Sequence, residues 1–274
     1  MTTQKEKAAI LAAMHQGDDV LVLPNAWDVA SARVLVDAGF EAIATTSGGC
    51  AFSLGYCDGE HIGRDGMLDI VKRMANAVDV PVSADVEAGY GPTPEDVALT
   101  IQGVIDAGAV GANIEDTDKT NPGHLVPFDL AVDRIAAGKA AADKAGVPVV
   151  INARVDGFHF GKGEAVFDDV VKRANAYLKA GAACVFVPFI SDGELIGRVA
   201  AAIDGPVNVL AGPDTPSVPE LKKLGVRRVT VGSGFAKAAL SLVQRGAEEL
   251  KSTGTFEFTR GVLSQPEVHR ILTD

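Results

Sequence analysis

The sequence predicts an α/β fold of the (β/α)8 TIM barrel type, on three observations. Eight short apolar runs rich in Val, Ile and Ala recur along the chain, helical segments separate them, and Ala-Gly pairs close several of those segments. Barrels of this type use about 250 residues for one domain, so we expect the 274 residues to form a single domain, 1–274. An open doubly wound sheet is the competing arrangement. It usually carries a Gly-rich loop after its first strand, whereas this chain has Pro24-Asn25-Ala26-Trp27-Asp28 there.

The apolar runs are typical of strands buried on both faces of a parallel sheet. The predicted strands are 20–26, 42–47, 80–87, 111–117, 147–155, 182–189, 206–211 and 228–233.

The segments between and after these runs carry helical patterns. The predicted helices are 65–78, 93–107, 129–145, 164–180, 192–203, 217–224 and 235–250. Gly39, Gly108, Gly146 and Gly181 follow such segments and fit helix C-caps. The remaining 255–274 exceed what a barrel needs and predict an extra C-terminal helical tail. Because such additions often pack on a neighbouring subunit, we expect a homo-oligomer.

Composition excludes several classes of function. The formal net charge of −11 disfavours nucleic acid and anionic membrane surfaces as partners, because both need clustered Lys and Arg. The polar start Met1–Lys7 lacks the apolar stretch of a signal peptide, so we expect a cytoplasmic protein. The three cysteines lack metal-ligand spacing and predict neither a disulfide framework nor a zinc site. A small anionic substrate would therefore need a local metal or arginine.

Acidic residues gather where two predicted strands end, the place where barrels carry catalytic groups. Asp85 and Glu87 end the third strand and would share a face by strand alternation, and Glu115 ends the fourth. Carboxylates pressed together beside an apolar interior need a counter-charge. Oxygen ligands favour Mg²⁺, with Mn²⁺ possible, Asp85 binding directly and the glutamates through water. The alternative is an ion-pair network with Arg154 and no metal.

Candidate substrate-binding groups lie at other strand ends. Arg154 ends the fifth strand, where its guanidinium suits a planar carboxylate, although it could instead only neutralise Glu115. The small-residue turn Ser47-Gly48-Gly49 allows backbone N–H groups to approach an anion. Asn208 in the seventh strand is a further candidate for substrate contact.

Two loops are candidate mobile segments over the barrel mouth. The segment 118–128 is rich in turn formers and is typical of a lid that excludes water; it carries Lys119, Asn121 and His124 as candidate catalytic residues. Asp58, in the second such loop, 55–59, is a further candidate catalytic residue, as is Arg154. No predicted strand contains a lysine, which disfavours a Schiff-base aldolase.

The motifs above resemble the isocitrate lyase and phosphoenolpyruvate mutase superfamily over most of the chain. The most specific is Asp85-Val86-Glu87-Ala88-Gly89-Tyr90-Gly91, and the blocks 113–116 and 152–156 match as well. The resemblance implies that Asp85, Glu87 and Glu115 hold Mg²⁺, that Ser47, Gly48 and Arg154 take the substrate carboxylate, and that Asp58 lies near the substrate. It also implies a dimer or tetramer whose last barrel helix is exchanged between subunits.

The lid departs from the lyases of that superfamily. Isocitrate and methylisocitrate lyases carry a Lys-Lys/Arg-Cys-Gly-His lid with a cysteine proton donor, whereas this chain reads Lys119-Thr120-Asn121-Pro122-Gly123-His124. We therefore expect a Mg²⁺-dependent carbon–carbon lyase or decarboxylase that acts on a small 2-oxo acid such as oxaloacetate, which needs no dedicated acid for the departing group. The alternatives are C–P chemistry of the phosphonopyruvate hydrolase or phosphoenolpyruvate mutase type, 2-methylisocitrate lyase activity, and a protein that binds a 2-oxo acid without turnover.

Overall fold

The computed structural model describes residues 2–273. The strands are β1 (Leu21–Val22), β2 (Asn25–Ala26), β3 (Ile43–Thr45), β4 (Val82–Asp85), β5 (Gly111–Glu115), β6 (Val150–Arg154), β7 (Cys184–Val187), β8 (Val207–Leu210) and β9 (Arg228–Thr230). The helices are α1 (Gln4–Met14), α2 (Val29–Asp37), α3 (Ser47–Ser53), α4 (Gly63–Ala77), α5 (Pro94–Asp106), α6 (Phe128–Ala145), α7 (Gly157–Phe160), α8 (Glu164–Lys179), α9 (Gly193–Ala202), α10 (Val218–Lys223), α11 (Gly234–Ser252) and α12 (Gln265–Thr273), with a short 3-10 helix at Glu257–Thr259.

All of these strands lie in one parallel sheet, in the order β1-β9-β8-β7-β6-β5-β4-β3-β2. The two edge strands, β1 and β2, are separated only by Leu23 and Pro24. The Leu23 N–H donates to Val229 O at 2.8 Å, and Pro24 O accepts from the Ala44 N–H at 2.8 Å. One short segment therefore joins both ends of the sheet, which is consistent with a TIM-like barrel.

Each predicted strand contains an observed strand, and the first contains both β1 and β2. Pro24 explains this division, because proline has no N–H to continue the ladder. The apolar runs supply buried side chains to the hydrophobic core, among them Ile43, Ile114 and Ile151. The expected α/β fold with parallel strands is confirmed.

The predicted helices pack around the sheet with bounds that differ from prediction by up to two residues. Helix α5 begins after Thr93, whose hydroxyl accepts from the Asp96 N–H at 3.2 Å, while the Asp96 carboxylate accepts from the Thr93 N–H at 3.1 Å. This reciprocal cap satisfies two N–H groups at the helix start. Helix α6 ends at Gly146, which has the expected left-handed backbone with φ of 67°.

Helix α1 covers the N-terminal end of the barrel. The Gln4 amide donates to the carbonyls of Ile105 and Ala109, just ahead of β5, at 2.7 and 3.0 Å. At the other end of α1, His15 contacts the guanidinium of Arg228 at 3.4 Å. Helix α1 therefore does not cover the opposite end of the barrel, where the carboxyl ends of the strands and the candidate site lie.

The two C-terminal helices differ in how they pack. Helix α12 lies against α2 of the same chain, where Arg270 donates to the Asp37 carboxylate at 2.9 Å. Helix α11 has 19 residues, of which only Ala236 and Gly246 are buried. The expected helical tail is thus present, and its predicted exchange between subunits stays a prediction.

Among residues 2–273, no helix is both long enough and apolar enough to cross a membrane.

Candidate functional site

Three charged residues end three neighbouring strands. Asp85, Glu115 and Arg154 are the last residues of β4, β5 and β6. Glu115 and Arg154 are also paired in the register of β5 and β6. Because parallel strands place their carboxyl ends at one edge, this arrangement gathers the charges at the barrel mouth.

Asp85 is held from the side of β3. Its Oδ2 accepts from the Ser47 N–H at 3.0 Å, and its own N–H donates to Thr45 Oγ1 at 2.8 Å. Burial raises the pKa of Asp85, because a charged carboxylate loses its hydration there, and the Ser47 N–H and Arg154 only partly oppose this. Asp85 is therefore a half-buried acid whose negative charge is incompletely compensated.

Glu87 reaches the same mouth from a turn rather than from a strand. Strand β4 ends at Asp85, and Glu87 has a left-handed backbone with φ of 48°. Strand alternation was expected to place Asp85 and Glu87 on one face, but the strand ends at Asp85, so the turn and not the strand positions Glu87. The Glu87 side chain is buried, its Oε1 accepts from the Glu60 N–H at 2.7 Å, and burial raises its pKa to about 7.

Lys119 lies between two of the acids. Its ammonium nitrogen is 2.6 Å from Glu115 Oε1 and 3.2 Å from Glu87 Oε2. Burial by itself would lower the pKa of Lys119, but Glu115 and Glu87 outweigh this and raise it above its usual value. Burial would likewise raise the pKa of Glu115, but Arg154 and Lys119 together lower it. Lys119 is thus the candidate lid residue that the structure brings into the cluster.

Arg154 is fixed in orientation by two acids. Its Nη1 is 2.9 Å from Glu115 Oε2, and its Nε donates to Asp156 Oδ1 at 2.6 Å. The other Asp156 oxygen accepts from the Thr117 hydroxyl at 2.5 Å. Phe189 lies 5.6 Å from the guanidinium carbon, within the range of a cation–π contact. The expected pairing of Arg154 with Glu115 is present, and the guanidinium also lies at the mouth.

The predicted Ser47-Gly48-Gly49 turn is the first turn of α3, with Thr46 at its N-cap. The Ser47 N–H is directed to Asp85, as described above. A Cβ added to Gly48 would lie 2.7 Å from Ser233 Oγ and 3.1 Å from Asp58 Oδ2. Glycine at this position therefore lets the otherwise exposed Asp58 carboxylate lie against the start of α3.

The lid is an ordered turn over 118–125. The Asp118 N–H donates to His124 O at 2.9 Å, and the Asp118 carboxylate accepts from the N–H groups of Thr120 and Asn121 at 2.9 and 3.2 Å. The side chains of Asn121 and His124 are exposed. The predicted lid residues thus divide into Lys119, which contacts the acids, and Asn121 and His124, which face outward.

Asn208 lies inside the barrel wall. It is fully buried on β8, and its amide donates to Thr230 Oγ1 at 3.3 Å. This hydrogen bond joins β8 to β9, so the amide of Asn208 contacts another side chain of the barrel. The predicted contact of Asn208 with a substrate stays a prediction.

Several residues of the site were not predicted from the sequence. Glu60 donates its N–H to Glu87 and accepts the Tyr90 N–H on its carboxylate at 2.8 Å, and burial raises its pKa. His159 lies against Phe189, with ring centroids 4.5 Å apart. Asp156 had one sequence signal, since it shares the alternation of Asn152 and Arg154. Glu60 lies on a loop and His159 on the four-residue helix α7, where no periodicity indicates which side chains meet.

The chemistry of the acids fits a divalent cation. Burial raises the pKa values of Asp85 and Glu87, and the buried hydroxyl of the nearby Tyr90 has no hydrogen-bond partner among the described residues. An ion bound by oxygen ligands would supply the missing positive charge. The acidic side chains are not, however, arranged as metal ligands in this structure. Across residues 2–273, no group of three or more His, Cys, Asp or Glu residues is placed to hold a metal, and Lys119 is the cation between Glu87 and Glu115.

Comparisons with known proteins identify the family of the chain. Residues 11–251 match the family model described as phosphoenolpyruvate phosphomutase. The chain is 30% identical to an oxaloacetate decarboxylase of Bradyrhizobium sp. (strain BTAi1) over 98% of this chain and 97% of that protein. It is 29% identical to a probable 2-methylisocitrate lyase of Corynebacterium glutamicum over 92% of this chain and 82% of the other.

A solved structure extends the comparison to the fold. The crystal structure of 2,3-dimethylmalate lyase, described as a member of the PEP mutase/isocitrate lyase superfamily, superposes with a TM-score of 0.86. The two chains are 28% identical, and the match covers 100% of this chain and 95% of the other. The chain therefore belongs to the phosphoenolpyruvate phosphomutase family, within the superfamily of PEP mutase and isocitrate lyase.

Proposed function

We propose that this protein is a divalent-metal-dependent carbon–carbon lyase that decarboxylates oxaloacetate or a closely related small 2-oxo acid. The observation that carries the proposal is the meeting of Asp85, Glu87 and Glu115 with Arg154 at one barrel mouth, in a family whose members are lyases and mutases. The match with an oxaloacetate decarboxylase over nearly the whole of both chains supports this choice of substrate.

Asp85, Glu87 and Glu115 are the residues that would hold Mg²⁺ or Mn²⁺ in this proposal. A bound divalent ion would act as a Lewis acid toward the keto and carboxylate oxygens of a 2-oxo acid. The chain's own groups then bind and orient the substrate. Arg154 takes the carboxylate, because Glu115 and Asp156 hold its guanidinium in one orientation. The start of α3, Ser47-Gly48-Gly49, adds a further substrate contact through the Gly48 N–H, because the Ser47 N–H donates to Asp85 and the Gly49 N–H to Thr46 Oγ1.

Breakage of the C3–C4 bond of oxaloacetate leaves the electron pair on the three-carbon fragment as CO₂ departs. Negative charge then develops on the enolate oxygen of pyruvate, and Arg154 stabilises it electrostatically. A proton added at C3 completes pyruvate. The lid, 118–128, excludes water while the charge is present. We propose Asp58, Asn121 and His124 as catalytic residues at the lid side and Asn208 as a substrate contact from the barrel wall.

Chemistry at a C–P bond is the alternative that a specific observation favours. The matching family model is described as a phosphomutase, and Lys119-Thr120-Asn121 partly resembles the lid element of phosphonopyruvate enzymes. The Corynebacterium relative supports 2-methylisocitrate lyase activity, but this chain lacks the lid cysteine of those lyases. A protein that binds a 2-oxo acid without turnover is the third alternative.

We further propose that the chain is one domain, that it acts in the cytoplasm, and that it assembles as a dimer or tetramer through α11. Helix α11 leaves Leu240, Val243 and Leu250 exposed at 54%, 68% and 45%. Apolar side chains in such a row are typical of a surface that another subunit covers.

A substrate panel separates these functions. Oxaloacetate, phosphonopyruvate, 2-methylisocitrate and longer 2-oxo diacids are incubated with Mg²⁺ or with a chelator, and pyruvate, CO₂ and phosphate are measured. We expect the protein to release pyruvate and CO₂ from oxaloacetate with Mg²⁺ but not with the chelator. Phosphate release would support the alternative at the C–P bond. A 2-oxo acid that raises the melting temperature with metal but is not turned over would support the binding protein.

The variant Asp85→Ala tests the site itself. We expect its metal-dependent kcat/KM to fall at least about a hundredfold, because loss of a buried ligand removes both charge and position from the ion. Asp69→Ala, which removes an exposed acid on α4, is the matched control and should retain activity. Undiminished turnover in Asp85→Ala would remove Asp85 from the site.

A further inference from the structure

Lys119 occupies the position between two carboxylates that a divalent ion would need. The side chains of Glu87 and Glu115 are only 3% and 6% exposed, and the Lys119 ammonium group contacts both. One ammonium between two buried carboxylates is strongly attracted at low dielectric, and a divalent ion brought to the same oxygens would repel it. The ammonium group and a divalent ion therefore cannot bind Glu87 and Glu115 at the same time in this arrangement.

We propose that Lys119 is a tethered cation that holds the carboxylates of the site until a divalent ion displaces it, and that Glu60 then receives its ammonium group. This inference rests on the proposed function, since it assumes that Glu87 and Glu115 take part in metal binding. It assigns roles to this chain's own residues. Lys119 competes with the metal, and Glu60 is a positioning residue that favours the displaced lysine.

The lysine has space into which to move. A cavity of about 140 Å³ adjoins the site between the β4–α5 loop and the lid, and Lys119 forms part of its wall. Glu60, Asp118 and Arg134 line it as well. The lysine stem has four flexible carbons, so its ammonium group can move several ångströms without a backbone change.

Glu60 is the acid in that cavity with capacity to accept the ammonium group. Its carboxylate takes the Tyr90 N–H and has no Lys or Arg within ion-pair distance among the described residues. Asp118 instead accepts three hydrogen bonds on Oδ1, from the Thr120 N–H and hydroxyl and the Asn121 N–H, and these hold its carboxylate in the turn of the lid. Arg134 is directed to the carbonyls of Ala88 and Gly91. The Glu60 N–H also donates to Glu87, so the receiving acid lies directly beside the one that the lysine leaves.

The exchange would couple metal binding to the lid. Lys119 is the second residue of the turn 118–125, and Asp118 closes that turn by hydrogen bonds. Movement of Lys119 from the acids to Glu60 therefore releases the side-chain contacts that join the lid to Glu87 and Glu115 when the ion enters. A metal-free enzyme keeps its buried carboxylates neutralised in the meantime.

The test is direct binding of Mn²⁺, measured by the electron paramagnetic resonance of free Mn²⁺ and by calorimetry, without substrate. We expect Lys119→Met to bind Mn²⁺ at least about fivefold more tightly than the native protein, because a competing charge has gone. Lys119→Arg keeps the charge and should bind like the native protein. Lys162→Met, an exposed lysine at the same end of the barrel, is the matched control and should not change binding.

The sign of the effect separates competition from a structural role. Damage to the site would weaken Mn²⁺ binding, whereas competition predicts tighter binding and a larger rise in melting temperature on adding Mn²⁺. Lys119→Gln, which can still hydrogen-bond to the acids, serves if Lys119→Met does not fold without metal. Equal or weaker binding by the folded neutral variants overturns the inference.

Glu60 is tested by a double-mutant cycle. Glu60→Gln keeps an oxygen for the Tyr90 N–H but removes the charge that receives Lys119. We expect it to weaken Mn²⁺ binding about threefold in the native background and to have no effect beside Lys119→Met. An equal effect in both backgrounds would remove Glu60 from the exchange.

The same experiments distinguish this inference from the proposed function. If the native protein and Asp85→Ala bind Mn²⁺ equally, or neither binds it, the metal site itself fails. If the native protein binds Mn²⁺, Asp85→Ala does not, and Lys119→Met binds as the native protein does, only the exchange is wrong.

Discussion

Arg154 owes its orientation to acids on both sides of its guanidinium. Glu115 and Asp156 take two of its nitrogens, and Thr117 in turn holds Asp156. Asp116 also holds Asp156 in place, since its Oδ1 accepts the Asp156 N–H at 2.8 Å. A planar fork held in this way is pre-organised to bind a carboxylate and to stabilise the enolate charge.

Replacement of Arg154 by lysine tests this role. Lysine keeps the charge but cannot contact Glu115 and Asp156 and present a planar donor pair at once. We expect Arg154→Lys to lower kcat/KM for oxaloacetate at least about a hundredfold. Steady-state kinetics with saturating Mg²⁺ measures this. Arg198→Lys, an exposed arginine paired with Glu164, is the control, and a similar small change in both variants would contradict the role.

Backbone strain is concentrated beside the acids. Glu87 and Tyr90 both have left-handed backbones, with φ of 48° and 58°. Such conformations are costly for residues with a Cβ and persist where the surrounding structure imposes them. Here the turn directs the Glu87 carboxylate to Lys119 and the Glu60 N–H, so the strain coincides with the proposed site.

At the scale of elements, α1 closes the barrel through a buried histidine. His15 Nδ1 lies 2.7 Å from Leu11 O, and Nε2 lies 3.4 Å from the Arg228 guanidinium. The neutral tautomer with hydrogen on Nδ1 satisfies both contacts, whereas a second proton on Nε2 would face a cation. Burial, followed by Arg228, therefore lowers the pKa of His15 from 6.5 to about 4.

This shift predicts acid sensitivity. Between pH 6.5 and about 4 the unfolded chain binds a proton on His15 that the folded chain does not. The free energy of unfolding therefore falls as the pH falls through this window, by on the order of 3 kcal/mol from this group. We expect His15→Gln to lose less stability than the native protein when urea unfolding at about pH 7 and about pH 4.5 is compared.

The control for the acid effect is His61→Gln, which removes an exposed histidine. It should show the same pH dependence as the native protein. A His15→Gln protein with undiminished acid sensitivity would show that carboxylates elsewhere, rather than the contact between α1 and Arg228, are responsible.

At the scale of the whole molecule, α11 is the element whose packing within one chain is least complete. It is amphipathic in sequence, yet Leu240, Val243 and Leu250, which share one face of the helix, are all exposed. Water contact over such a row is unfavourable, and burial against a second subunit would remove it. This is the physical reason to expect assembly through α11.

We therefore expect the native protein to have a solution mass that is a multiple of 28.3 kDa. Leu240→Glu combined with Val243→Glu should shift it to a monomer, because each change would place a charge in the buried interface. Sedimentation equilibrium measures both. Arg245→Gln, at an exposed position on the opposite face of the same helix, should leave the mass unchanged, and a monomeric native protein would contradict assembly through this surface.

The fold could be predicted from the sequence because local patterns carry it. Apolar runs of strand length, such as 111–117 and 147–155, can be satisfied only by burial on both faces, and the helical segments between them impose parallel strands. The ends of those runs also identified Asp85, Glu115 and Arg154, since the change from apolar to charged residues marks the barrel mouth. The family motifs around Asp85 agree with that location.

The sequence by itself therefore determined the barrel-like fold, its family and the strand-end charges, because each depends on residues close together in the chain. Only the tertiary structure decided how those charges are neutralised. Lys119 meets Glu87 across 32 positions, and Glu60 meets Glu87 across 27. Such contacts arise where loops fold back over the mouth, and their partners are selected by distance and burial in three dimensions, which no periodicity along the chain encodes.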